Sequence, residues 1–140
     1  MFDFGQVLVE AKKTVEEESN TEIRFSHNYE IFKRLVEVAE DCEDTADYHA
    51  RVLDDFDLFC VSYIRLDNRK PMFPSPWQTE AAAIFEQNDV NLFIEPRKIG
   101  KSAVLSAYIL WKMCKDAGTR AVISLLRRTN CSLWRIFGRR

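Results

Sequence analysis

The chain has 140 residues, the size of one ordinary domain, and its net charge of −2 favours no particular class of partner. Because 46% of the residues are hydrophobic and 30% are charged, the composition excludes an intrinsically disordered protein and predicts a buried core. Neither a secretory signal nor an apolar run of about 18 residues occurs, so we expect no membrane partner and an intracellular location.

Residues 1–64 carry the periodicity of amphipathic helices. The stretch "SHNYEIFKRLVEVAEDC" offers Ser26 or Asn28 as an N-cap. Apolar residues then recur at spacings of three and four, which predicts one buried helix face formed by Ile31, Leu35, Val38 and Cys42.

The next stretch, "TADYHARVLDDFDLFCVSYI", repeats this pattern and predicts a further helix. Asp44 or Thr45 is its candidate N-cap. The residues predicted to face the core are Tyr48, Val52, Phe56 and Phe59.

Three prolines, Pro71, Pro74 and Pro76, interrupt the helical pattern and predict an extended linker. The alanine- and glutamate-rich "WQTEAAAIFEQ" then predicts a short helix. Beyond it, "VNLFIEP" and "TRAVISLL" are candidate strands, and "GKSAVLSAYILWKMCKDAG" between them predicts a helix that ends at Gly118.

The stretch "NLFIEPRKIGKSAVLSAYILWK" has the strand–turn–helix layout of a phosphate-binding loop, although Glu95 stands where the general template has its first glycine. In such a loop, backbone N–H groups at a helix N-terminus bind phosphate oxygens. Lys101 is placed to neutralise phosphate charge and the Ser102 hydroxyl to bind Mg²⁺. The alternative is a basic turn that begins a helix and binds no ligand.

The segment "PRKIGKS" resembles the variant Walker A loop of viral large terminases, the ATP-driven DNA-packaging motors of tailed phages and herpesviruses. That family often lacks the first glycine and carries an arginine at the position of Arg97. The resemblance implies that ATP and Mg²⁺ bind here, with catalytic roles for Arg97 at the γ-phosphate and for Lys101. The nucleotide-binding residues implied in this segment are Pro96, Arg97, Lys98, Ile99, Gly100, Lys101 and Ser102.

The upstream segment "PMFPSPWQTEAAAIF" resembles the part of terminases that carries an aromatic–glutamine pair. The resemblance implies that Gln78 reads the adenine base, since a carboxamide donates and accepts hydrogen bonds at once. The alternative for Gln78 is an exposed residue at a helix start. Trp77 is expected in the core, or else beside the base.

The predicted fold class is α/β: an incomplete P-loop NTPase, with a parallel sheet and flanking helices, preceded by an α-helical N-terminal segment. Its expected parts are a helical segment at residues 1–69, the start of the ATPase domain at 70–124, and a basic tail at 125–140. The resemblance further implies double-stranded DNA, a portal and a small terminase subunit as partners of the full-length protein. It also implies a ring homo-oligomer and a location in the cytoplasm of the host cell.

Two features of terminases have no counterpart in this sequence. No apolar run ending in Asp-Glu follows Ser102, and no carboxylate cluster of a nuclease follows Asp116, after which the chain has no acidic residue. We therefore expect little ATP hydrolysis by this chain. Rival interpretations are a helicase-like P-loop ATPase, and a small DNA- or protein-interaction protein in which Gly-Lys-Ser is incidental.

The tail reverses the charge of the chain, because Ala117 to Arg140 contains six arginines and no acidic residue. Three interpretations stay open: an arm that grips DNA phosphates, an out-of-frame continuation that begins near Ser124, or an amphipathic end. In the last case the residues packing on the body would be Leu133, Trp134, Ile136 and Phe137.

The four cysteines are widely spaced and form no C-x-x-C pair, which makes a structural zinc site an unfavoured interpretation. Cys42, Cys60 and Cys114 lie on predicted apolar helix faces and are expected in the core. Trp111 and Met113 are expected to be core residues of the helix that follows the loop.

Overall fold

The structure, a computed structural model, describes residues 2–17, 22–88, 100–128 and 131–139. These residues form six helices and two strands. In chain order they are α1 Phe4–Glu17, α2 Glu22–Asp41, α3 Thr45–Leu53, α4 Phe56–Tyr63, α5 Pro76–Gln87, α6 Lys101–Lys115, β1 Arg120–Arg128 and β2 Cys131–Arg139.

The chain divides into two compact units, residues 1–79 and residues 80–140. The first contains α1 to α4 and the first turn of α5, and the second contains the rest of α5, α6 and the two strands.

The core of the first unit is built from the apolar faces of α1 to α4. On α2, Ile31 and Leu35 are fully buried as predicted, whereas Val38 is half-buried. Cys42, predicted on the same face, lies directly after the end of α2 and is half-buried. Burial of each large aliphatic side chain contributes about 1.5–3 kcal/mol to the free energy of unfolding. The other side chains of this core with exposed fractions of 3% or less include Val7, Ala11, Val15, Tyr48, Val52, Leu58, Phe59, Cys60 and Val61.

The predicted start of α2 is wrong. The helix begins at Glu22, so Ser26 and Asn28 lie inside it and neither is an N-cap. Asn28 is buried, because it shares the helix face of Ile31 and Leu35 at spacings of three and seven residues.

The helix predicted after residue 44 is two helices. Its start is as expected, since Asp44 is the N-cap of α3 and its carboxylate accepts the N–H of Asp47 at 2.8 Å. The pattern then breaks at Asp55, whose backbone is extended (φ −126°, ψ 117°) and whose carboxylate accepts the N–H groups of Asp57 and Leu58 at 2.9 and 3.2 Å. An aspartate that binds its own backbone in this way favours a new helix start over continuation.

The proline-containing segment between α4 and α5 is extended and folded onto the first unit. Arg65 and Pro71 form an isolated antiparallel bridge, and the residues from Pro71 to Pro74 are buried. Pro76 is the first residue of α5, a position that suits proline because the missing N–H would have no partner inside the helix.

The predicted α/β fold class is wrong. The described residues are mostly helical, and the strands among them form one two-stranded antiparallel sheet in which Arg120 lies opposite Arg139 and Arg128 opposite Cys131. The segment "TRAVISLL" is a strand, but it pairs with the chain that follows after two residues. A parallel pair would need a crossover of a dozen or more residues. The other predicted strand, "VNLFIEP", lies outside the described residues.

The end of α6 also differs from expectation. The helix ends at Lys115 with Asp116 as C-cap, and Gly118 lies beyond it in a turn where its N–H donates to the Asp116 carboxylate at 2.9 Å. Trp111 is buried as predicted, but Met113 is 48% exposed and Cys114 is exposed, so both are wrongly predicted as core.

The other two described cysteines differ in environment. Cys60 is fully buried, and burial, together with the nearby charges of Asp57 and Asp55, raises the pKa of its thiol. Cys42 is half-buried, and its Sγ donates a weak hydrogen bond to the Ala39 carbonyl at 3.3 Å.

Candidate phosphate-binding site

The residue directly before α6 has a backbone conformation that suits a phosphate-binding turn. Gly100 adopts the left-handed conformation (φ 87°, ψ 23°) as N-cap of α6, and its carbonyl accepts the N–H of Val104 at 3.1 Å. Glycine reaches this conformation without the steric cost that a side chain adds. Lys101 and Ser102 are the first two residues of the helix, so the turn brings all three predicted residues to one helix N-terminus.

The chemistry of this terminus favours an anion. The N–H groups of the first helical turn are directed out of the N-terminal end, which also carries the positive end of the helix dipole. No acidic residue occupies the first turn, and Lys101 adds a cation there. Lys101 is half-buried and Ser102 is exposed, so the hydroxyl of Ser102 is accessible to solvent.

Two contacts with Glu86 hold α6 against the end of α5 in the second unit. The Glu86 carboxylate accepts a hydrogen bond from the Tyr108 hydroxyl at 2.7 Å and forms an ion pair with Lys112 at 2.8 Å. The ring of Phe85 lies 5.0 Å from that of Tyr108. No sequence pattern indicates this cluster, because Tyr108 and Lys112 lie 22 and 26 residues from Glu86.

This cluster shifts the pKa values of two side chains in opposite directions. Burial alone would raise the pKa of Glu86, but the hydrogen bonds from Lys112 and Tyr108 and the charge of Lys112 outweigh it and lower that pKa. Burial, followed by the hydrogen bond to Glu86, raises the pKa of Tyr108. The ionised carboxylate and the protonated phenol are therefore the stable pair at neutral pH.

Four of the predicted nucleotide-binding residues, Pro96, Arg97, Lys98 and Ile99, lie outside the described residues. The roles predicted for them, including that of Arg97 at the γ-phosphate, stay predictions.

Gln78, predicted to contact adenine, helps to cap the start of α5 in the first unit. It is only 8% exposed, its side-chain oxygen accepts the N–H of Ser75 at 2.9 Å, and its own N–H donates to the Ser75 carbonyl at 2.9 Å. This is one half of a capping box, in which a glutamine at the third helical position bonds back to the N-cap. Gln78 is thus at a helix start, as the alternative had it, but it is not exposed. Trp77 beside it is half-buried.

A polar cluster that the sequence did not indicate fixes this same helix start. Asp57, whose side chain is 5% exposed, accepts hydrogen bonds from Thr79 Oγ1 at 2.7 Å and from Arg34 Nη2 at 2.9 Å. Arg34 also pairs with Asp55. Arg34 thus links α2 to the start of α4, and Thr79 links α4 to the first turn of α5.

Within the described ranges no group of three or more His, Cys, Asp or Glu side chains is placed to hold a metal ion. No helix in the described part of the chain is long and apolar enough to cross a membrane.

Comparison of the chain with protein-family models, with curated proteins and with solved structures gives no match. The resemblance to terminases therefore rests on the two segments quoted above, residues 71–85 and 96–102, and the function that it implies is a proposal.

Proposed function

We propose that Gly100, Lys101 and Ser102 bind the phosphates of ATP with Mg²⁺, and that this chain is the nucleotide-binding front part of a terminase-like DNA-packaging motor. The observation that carries the proposal is the left-handed Gly100 directly before Lys101 and Ser102 at the start of a 15-residue helix. This is the local backbone form in which a glycine turn presents helix amides to a phosphate.

The proposal rests on the turn and its helix and does not require a parallel sheet. The orientation of α6 comes from its buried face, which includes Val104, Leu105 and Tyr108, and from the bonds of Tyr108 and Lys112 to Glu86. A rigid helix keeps the amides and Lys101 in place before the nucleotide arrives, which lowers the entropic cost of binding.

In the proposed motor Lys101 neutralises the β- and γ-phosphates, the Ser102 hydroxyl binds Mg²⁺, Arg97 stabilises charge on the transferred γ-phosphate, and Gln78 contacts adenine. For Gln78 this requires that its carboxamide exchange the bond to Ser75 for the base. The full-length protein would act on double-stranded DNA as a ring, with a portal and a small terminase subunit as partners.

The test is thermal unfolding of the whole chain with increasing Mg·ATP. A ligand that binds only the folded state adds about 2.7 kcal/mol at 100 times its Kd. We expect this stabilisation in the unaltered chain and in Lys12→Ala, which removes an exposed lysine of α1, and its loss in Lys101→Ala. An unchanged melting temperature at millimolar Mg·ATP, or equal stabilisation of Lys101→Ala, would contradict the proposal.

A second candidate is a small interaction protein in which Gly-Lys-Ser binds nothing. It is favoured by the exposed apolar side chains of α2, where Ile23 is 79% exposed and the stacked rings of Phe25 and Tyr29 are 41% and 44% exposed. Exposed apolar groups that cluster in this way are typical of interaction surfaces. In this case Mg·ATP would leave the melting temperature of every variant unchanged.

A further inference from the structure

Helix α2 carries a second apolar stripe beside the one that it buries. Because an α-helix has about 3.6 residues per turn, residues at successive spacings of four, three and four form one row along its surface. Phe25, Tyr29, Phe32 and Val36 have these spacings, and their row lies about 100° round the helix from the row buried in the first unit. We call these four residues the outer stripe.

The outer stripe keeps much of its surface in water. Phe25 and Tyr29 are 41% and 44% exposed. Phe32 and Val36 are half-buried. The rings of Phe25 and Tyr29 stack with 5.8 Å between centroids and 8° between planes, and the Lys33 ammonium lies 5.4 Å from the Tyr29 centroid. The two rings thus form one flat apolar surface without a partner, which lowers the entropic cost of binding one.

Carboxylates lie at both ends of the outer stripe. Glu22 and Glu40 are exposed on the same side of α2, 18 residues apart, or about 27 Å at about 1.5 Å per residue. Lys33, which lies between them, is paired with Glu30 at 2.6 Å. The edge of the outer stripe is therefore acidic, as is the first unit, whose 17 acidic and nine basic residues give a net charge of −8.

This charge distribution disfavours two kinds of occupant. If two copies of α2 packed antiparallel through the outer stripe with Phe25 opposite Val36, Glu22 of each copy would lie beside Glu40 of the other. In a parallel pair each of these glutamates would lie beside its own counterpart. Like charges placed together in this way oppose association, and an anionic membrane surface would be repelled for the same reason.

We propose that the outer stripe is the docking surface for a basic amphipathic helix of another protein. The four–three–four spacing fits a partner helix whose apolar residues follow the same repeat, and such a helix would cover the exposed rings. Lysines or arginines about five turns apart on that helix would pair with Glu22 and Glu40. This inference goes beyond the proposed nucleotide site and does not depend on it.

The experiment measures binding of the whole chain to a labelled synthetic helix of about 24 residues by fluorescence anisotropy. The probe carries leucines in the three–four repeat, lysines beside them and alanines elsewhere, and a comparison peptide has glutamate in place of each lysine. We expect saturable binding of the lysine peptide and binding at least about tenfold weaker of the glutamate peptide.

Phe25→Gln with Tyr29→Gln removes the two rings and is expected to weaken binding of the lysine peptide at least about tenfold, because buried aromatic side chains carry much of the affinity of an interface. Val9→Gln with Ile23→Gln is the matched control. It removes two exposed apolar side chains, one on α1 and one about 150° round α2 from the outer stripe, and is expected to bind as the unaltered chain does.

Glu22→Gln with Glu40→Gln tests the charges at exposed positions, where folding is little affected. We expect about threefold weaker binding at low salt and little difference at high salt, since salt screens exposed ion pairs. Glu16→Gln with Asp67→Asn makes the same change of net charge elsewhere in the first unit and is expected to leave binding unchanged.

Equal binding of the two peptides, no saturable binding of either, or equal losses in a variant and its control would overturn the proposal. Self-association of the chain that Phe25→Gln with Tyr29→Gln abolishes would assign the stripe to a second copy, and preference for phosphatidylserine vesicles would assign it to a membrane. Lys101→Ala is expected to bind the lysine peptide normally, so a failure of the nucleotide site leaves this test intact.

Discussion

Arg34, Asp57 and Thr79 show how single residues of three helices are joined in the first unit. The Asp57 carboxylate is nearly inaccessible and has two hydrogen-bond partners, Arg34 and Thr79. A buried carboxylate without partners would cost about 1–3 kcal/mol or more, so each partner protects the arrangement of the helices. The sequence could not reveal this cluster, because Asp57 looks like one of several acidic residues on a helix that carries a solvated face.

Glu86 supports a prediction about pH. Its pKa is below the ordinary value, so the stability from its contacts with Lys112 and Tyr108 is present above the ordinary glutamate pKa of about 4.3 and is lost as the pH falls through the lowered value. Glu86→Gln should lower the unfolding free energy at pH 7 by up to about 1 kcal/mol, since the side chain is 34% exposed. The measurement is urea unfolding between pH 3 and pH 7.

Glu37→Gln, at an exposed position of α2, is the control for this series and should leave the pH dependence of unfolding nearly unchanged. If Glu86→Gln and the unaltered chain lose stability in parallel as the pH falls, the ion pair contributes nothing measurable.

At the scale of helices and strands, the sequence predicted which helices exist better than where they begin and end. Helix α5 and the cap at Asp44 are where the composition placed them. The break between α3 and α4 was missed, because the apolar periodicity of Tyr48, Val52, Phe56 and Phe59 runs through it without interruption while the local bonds of the Asp55 carboxylate decide it. Periodicity reports which residues face the core and does not report whether the backbone between them is continuous.

The testable prediction for α6 concerns its N-cap, Gly100. Alanine in the left-handed conformation costs about 1–2 kcal/mol, so Gly100→Ala should destabilise the chain by that amount and weaken any binding of phosphate at the helix start. Chemical denaturation and titration with Mg·ATP measure the two effects.

Gly118→Ala is the matched control for this substitution, because Gly118 has no positive φ and an added Cβ would meet only the flexible Asp116 carboxylate at 3.2 Å. Equal destabilisation by both substitutions would mean that the left-handed turn is not what makes Gly100 necessary.

For the whole molecule, strand pairing is the feature that could not be predicted from the sequence. The alternation of helices and candidate strands favoured a parallel sheet, but β1 found its neighbour in the arginine-rich stretch that follows it. Two residues separate the strands, which is the spacing typical of a tight hairpin, yet the density of arginine in this stretch hid its pattern. The candidate phosphate site could be predicted from the sequence because Gly100, Lys101 and Ser102 are adjacent. The cluster at Glu86 could not, because it depends on residues distant in the chain.

Catalysis is also a property of the whole chain. Even if ATP binds, hydrolysis needs a carboxylate that activates water, and the sequence after Ser102 contains no acidic residue except Asp116. We expect turnover close to the uncatalysed rate, measured as phosphate release with Lys101→Ala as the background. Robust turnover that disappears in Lys101→Ala would show that another carboxylate of the chain serves as the base.

The burial of Cys60 gives this protein a built-in reporter of motion. A thiol with a raised pKa and no solvent access reacts only when the surrounding helices separate, whereas Cys114 on the surface of α6 reacts at once. The slow phase of modification by a thiol reagent would therefore time the opening of the helical unit under native conditions. Followed at increasing denaturant, that phase would distinguish local fluctuation of α4 from complete unfolding.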